Sequence, residues 1–134
     1  MFPRAMPYPR GRTRSVAGTM NKLELAYSLH LEMLLRADLI AFWKWDCISL
    51  KLAKNTHYRT DFLVMQKDGA LEIHETKGNH MEEDAWLKLK LVAEIFPFPV
   101  MLVRKDKTKG WDIAEVQLDA VGMLPRKPKP AHAS

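Results

Sequence analysis

Residues 58–78 constrain this chain more than any other stretch. Two apolar, β-prone runs, around Phe62-Leu63-Val64 and Leu71-Glu72-Ile73, flank a Lys67-Asp68-Gly69 break, the pattern of two paired strands joined by a short turn. Both strands carry charge where a half-buried strand should not: Asp61 precedes the first apolar run, and Glu75 and Lys77 end the second. Ionised groups beside a core cost several kcal/mol unless something pairs with them. A lysine and a metal ion are such partners.

Register decides whether these groups meet. Side chains alternate between the faces of a strand, so Glu75 and Lys77 share one face. A two-residue Asp68-Gly69 turn would set Asp61 opposite Thr76 and turn it to the other face. A three-residue Lys67-Asp68-Gly69 loop, with Gly69 left-handed in a bulge, pairs Gln66 with Ala70 and Asp61 with Glu75. Opposed Cβ atoms then lie roughly 4.5–5.5 Å apart, within reach of one small cation. The three-residue loop is the expected register.

The chain has 134 residues, enough for one domain that buries about two thirds of its unfolded surface. No run approaches eighteen apolar residues, so no membrane span is expected. The first twenty residues hold four arginines, no acid and no apolar stretch, unlike a secretory signal. The lone Cys47 forms no internal disulfide, fits a reducing cytoplasm, and reads as a small core residue. The net charge of +5 is uneven. Arg4, Arg10, Arg12 and Arg14 lie near the start, and Arg126, Lys127 and Lys129 near the end, whereas all sixteen acids fall between. Residues 1–19 and 125–134 read as unstructured basic arms on a domain spanning 20–124. Such arms suit a polyanion partner such as nucleic acid, or serve only solubility.

Within the domain, Asn21 offers a helix N-cap, with Glu24 three residues on closing a capping box. Leu23, Tyr27, Leu31 and Leu34 repeat at helical spacing to about residue 37, with Leu25 and Leu29 broadening the stripe into a mostly buried helix. Residues 42–53 read as one strand, and Asn55-Thr56 as a turn before the hairpin. After a break at Gly78-Asn79-His80, Glu82-Glu83-Asp84 opens a second helix with Ala85, Leu89, Val92, Ala93 and Phe96 inward. Pro97 and Pro99 stop it before the apolar strand Val100-Met101-Leu102-Val103. Residues 111–123 fit either a short strand or a helical turn. The order helix, three strands, helix, strand predicts an α/β fold with a mixed central sheet flanked by helices. The last strand is expected to return parallel to its predecessor by a right-handed crossover.

Two readings fit the charged residues of the hairpin. One is a cross-strand salt bridge of Lys77 with Asp61 or Glu75. The other is a site for metal-assisted phosphodiester hydrolysis. Mg²⁺ takes oxygen ligands and accepts one or two carboxylates beside waters and phosphates, which Asp61, Glu75 and the Thr76 carbonyl could supply. Lys77 could orient the attacking water or neutralise the phosphate in the transition state. Glu24 is explained by the capping box and is also a candidate site carboxylate, with Glu32 as a fallback two turns deeper. His74 faces away from Glu75 by alternation and reads as packed or at the surface. His74, Glu75 and His80 do not have the spacing of a helical zinc site. Lys88 is a candidate phosphate contact, and Lys90 can pair with Glu94. Trp43, Trp45 and Trp86 read as core or interface.

Thr60-Asp61 followed by Glu75-Thr76-Lys77, with Glu24 in the preceding helix, resembles the motif of the PD-(D/E)XK nuclease superfamily. Residues 21–98 are more closely similar to its small phage nucleases, including the endonuclease I type that resolves Holliday junctions. Asn21-Lys22-Leu23-Glu24, Tyr58-Arg59-Thr60-Asp61-Phe62 and His74-Glu75-Thr76-Lys77-Gly78 carry the likeness, extended by Asp84 and Lys88. Thr60 stands where the superfamily usually has proline, and Asn79-His80 where an apolar or aromatic pair is common. The resemblance implies a restriction-endonuclease-like fold and an endonuclease dependent on Mg²⁺, with Mn²⁺ as a substitute. Asp61, Glu75, Thr76 and Glu24 would be the metal ligands and Lys77 the catalytic lysine. It also implies 5′-phosphate products, a preference for branched DNA, and the cytoplasm of a phage-infected or prophage-bearing bacterium. Two symmetric cuts across a junction call for a homodimer, with Arg10, Arg12, Arg14 and Lys88 on the DNA. The rival expectation is a nucleic-acid-binding protein that keeps the fold without cleaving.

Overall fold

The computed structural model describes residues 19–78, 81–116 and 129–130. The chain runs α1 (Lys22–Arg36), β1 (Ile40–Trp45), β2 (Ser49–Ala53), β3 (Thr56–Arg59), β4 (Phe62–Gln66) and β5 (Leu71–Thr76). It continues through α2 (Glu83–Ile95), β6 (Val100–Asp106), β7 (Gly110–Glu115) and the two-residue β8 (Lys129–Pro130). The main sheet has the order β1-β4-β5-β6-β7-β8, and β2 and β3 form a separate two-stranded sheet. The β5–β6 pair is parallel and its other neighbours antiparallel, so this is an α/β fold around a mixed sheet.

The hairpin has the expected register. Phe62 pairs with His74 and Val64 with Glu72. Gly69, at φ +93°, donates to the Gln66 carbonyl at 2.9 Å, and Gln66 donates to Ala70 at 2.8 Å. Asp68 accepts from the Ala70 amide at 3.0 Å, an Asx turn that steadies the loop. Extending the same register sets Asp61 against Glu75.

Three expectations need correction. Residues 42–53 are not one strand. Asp46 adopts a left-handed conformation at φ +55°, which aspartate tolerates better than most side chains, and the chain leaves the main sheet there. Asp46 donates its amide to the Asp61 carbonyl at 2.8 Å and ion-pairs with Arg59, so the break is held by the segment it crosses. The hairpin is also shorter than its sequence suggests. Tyr58 and Arg59 belong to β3, paired with β2, and the chain bends at Thr60-Asp61 before β4. Finally, α1 is buried on a narrower face than expected: Leu25, Leu29 and Met33 stay exposed. Of the ambiguous 111–123 stretch, the first residues are strand β7, and 117–123 lie outside the described residues.

Two cores sandwich the sheet. Tyr27 and Leu31 of α1 pack on Ile40, Trp43, Phe62, Val64 and Val103. On the opposite face Leu89 and Val92 of α2, with Leu50 and Tyr58 of the small sheet, pack on Ile73, Val100 and Leu102. Glu75 and Lys77 lie two and four residues on from Ile73, so alternation puts them on its face, the α2 side. Trp43 is buried, and Trp45 and Trp86 pack at the core margins, as their size requires.

Candidate active site

Three elements converge where β5 ends. The bend at Thr60-Asp61 aims Asp61 across the strand, and its Oδ2 accepts from the Thr76 amide at 3.0 Å and the Thr76 hydroxyl at 2.9 Å. The Asp61 amide in turn reaches Glu75 Oε1 at 3.3 Å, and Lys77 Nζ lies 3.3 Å from Glu75 Oε2. Glu75 is only 4 % exposed. A buried carboxylate with one ammonium partner is stable only if its remaining lone pairs are answered.

Glu24 comes from the start of α1. Its Oε1 accepts from the Asn21 amide at 3.0 Å while Asn21 Oδ1 accepts from the Glu24 amide at 2.7 Å, so the capping box is complete. The same carboxyl also contacts the Asp61 carboxyl and the Trp45 indole. Capping and membership of the cluster are therefore one arrangement: the box fixes the helix end that carries Glu24 to Asp61.

The electrostatics follow from crowding. Burial, then the charge of Asp61, push the Glu24 carboxyl up to about 7. Burial, then the charge of Glu75, push Asp61 up to about 6, against the lowering effect of the Thr76 hydrogen bonds and Lys77. Burial also raises Glu75, opposed by Tyr58 and Lys77. Three carboxyls that resist ionisation beside a single lysine form a site that wants more positive charge.

Among the described residues, no set of three His, Cys, Asp or Glu side chains is arranged to enclose a metal ion by itself. A hard divalent cation does not require such a cage, because Mg²⁺ keeps waters and takes one or two carboxylates. The donors fit that demand: they are oxygens, and three carboxyls share the single ammonium of Lys77. Asp61 and Glu75 would hold the ion, with Glu24 beside Asp61.

Other candidates fall elsewhere. Glu32 accepts from the Trp43 indole at 3.1 Å and from Arg36 at 3.0 Å, which makes it a structural clamp. His74 is buried on the α1 face, bonded to the Tyr27 hydroxyl at 2.6 Å and Glu72 at 2.9 Å. A cavity of about 210 Å³ opens on that face, and no carboxylate of the cluster lines it. Lys88 is half-buried on α2, with no hydrogen bond or ion pair to the cluster among the described residues, and no ion pair joins Lys90 to Glu94. Arg10, Arg12 and Arg14 lie outside the described residues. Sequence reasoning missed Tyr58 and Trp45 as neighbours of the carboxylates, and missed the hydroxyl and amide of Thr76 as the groups that orient Asp61. The threonine sits inside the Glu75-Thr76-Lys77 motif, so its position was a signal. Tyr58 stood three residues before Asp61 in the stretch that carries the likeness, with no role attached, and Trp45 gave no signal.

No family model matches the chain, and no curated protein or solved structure matches it. No helix among the described residues is long and apolar enough to cross a membrane.

Proposed function

We propose that this protein is a metal-dependent DNA endonuclease of phage type, with a restriction-endonuclease-like fold, acting on branched DNA as a homodimer. The observation that carries the reading is the meeting of Asp61, Glu75 and Lys77 where β5 ends beside the start of β4, with Glu24 brought to them by α1. A binding protein gains nothing from carboxylates facing phosphodiesters, whereas metal-assisted hydrolysis uses them to hold the cation.

Mg²⁺, when bound, polarises the phosphate and lowers the pKa of water. The chain's own groups do the rest. Thr76 locks one Asp61 oxygen, leaving the other for the site. Lys77, drawn to Glu75, presents an ammonium that neutralises charge gathering on the phosphate oxygens. Trp45 and the capping box hold Glu24 in place. The basic arms would grip duplex phosphates, with affinity falling steeply as salt rises.

Incubation of the protein with a labelled four-way junction and a linear duplex, in Mg²⁺ or in chelator, tests the reading. Junction cutting in Mg²⁺, absent in chelator and abolished by Lys77→Ala, is expected. Tight DNA binding without cutting in Mg²⁺ or Mn²⁺ would make this a binding protein instead.

A further inference from the structure

β5 ends beside the middle of β6, which runs on to Asp106. Thr76 pairs with Val103 in parallel, and the Lys77 amide donates to the Val103 carbonyl at 3.0 Å. The next residues along, Lys77 and Arg104, are thus neighbours about 5 Å apart. Val103 packs on the α1 side and Leu102 on the α2 side. Alternation therefore sends Arg104 to the face of Glu75 and Lys77. Its guanidinium Nη1 donates to the Gly78 carbonyl at 2.7 Å. That bond anchors Arg104 beside the end of β5, and among the described residues its other N–H groups have no hydrogen-bond partner. Asp112 pairs with it across β7, yet no carboxylate among the described residues forms an ion pair with Arg104.

We propose that Arg104 is a phosphate-binding residue that, with Lys77, seats a DNA phosphodiester at the carboxyl end of β5, where β6 runs past it. This rests on the nuclease reading above. Three carboxylates, Lys77 and one divalent cation cancel, so a loaded site lacking Arg104 would not attract an anion. Arg104 makes it positive. Its planar fork suits a phosphate's paired oxygens, and the carboxyl ends of parallel strands are where open α/β sheets receive ligands.

The Gly78 bond suggests a purely structural clip, so the test separates clip from charge. Arg104→Gln keeps an N–H donor for the Gly78 carbonyl and removes the charge; Arg104→Lys keeps the charge and loses the fork. Binding of a fluorescent four-way junction in Ca²⁺ is measured by anisotropy across a salt series, with thermal melts confirming folding. Arg104→Gln should weaken binding roughly tenfold and reduce the slope of log affinity against log salt by about one, and Arg104→Lys should restore the slope. If wild type binds and Arg104→Gln matches it in affinity and slope, Arg104 is only a clip and the proposal fails. If wild type itself binds no DNA, the nuclease reading falls with it, and the silent wild type distinguishes the two failures.

Discussion

Replacing Asp61 with asparagine should stabilise the metal-free protein at pH 8 while removing its response to metal. The folded carboxyl titrates at about 6 against an ordinary 3.8. Its proton is therefore held more tightly in the folded state. The stability this contributes is full below about pH 3.8 and is lost as pH rises through about 6. The difference corresponds to ~3 kcal/mol. Asparagine avoids burying that charge and relieves Glu24, which Asp61 pushes up. It gives back about 1–2 kcal/mol, because its neutral oxygen accepts less strongly from the Thr76 amide and hydroxyl. The net gain is ~1–2 kcal/mol, or roughly 3–8 °C in Tm for a domain of this size. Thermal melts by circular dichroism in chelator at pH 8 and pH 4 read it directly. The variant should melt higher at pH 8 and lose that advantage at pH 4. Saturating Mg²⁺ should reverse the order at pH 8, because only wild type gains binding free energy. A variant clearly less stable than wild type at pH 8 in chelator would mean that Thr76 and Lys77 already satisfy the carboxylate, and the case for a missing cation would be lost.

Two further substitutions probe what supports the site. Gly69→Ala meets no atom within 4 Å, so its effect is purely that of φ +93° on an L side chain: about 1–2 kcal/mol of lost stability in urea titration, with the metal response intact. A lost metal response would mean that the turn had slipped and carried Asp61 out of register. Tyr27→Phe leaves the buried His74 Nδ1 without its 2.6 Å partner and should lower stability by about 1–3 kcal/mol. Unchanged stability would show that the hydroxyl contributes nothing net to the α1 face.

Much of this molecule was legible in its sequence because the signals were local. The capping box of Asn21 and Glu24 needs only residues three apart, and the Lys67-Asp68-Gly69 loop needs only a glycine able to take positive φ. Alternation then carries that loop's register outward to Asp61, Glu75 and Lys77 without knowledge of any other element. What the chain alone could not reveal depended on groups far apart in sequence. The break at Asp46 is stabilised by Asp61 and Arg59, partners invisible to a local reading, so residues 42–53 looked like one strand. Leu25 and Leu29 fit an apolar stripe, but the width of the surface that α1 meets decided how much of it was covered. The approach of Glu24 to Asp61, and the place of Arg104 beside Lys77, exist only once a helix end and a crossover strand have docked on the hairpin. Periodicity and turn chemistry set each element's own geometry; packing between elements decided which charges share a low-dielectric corner.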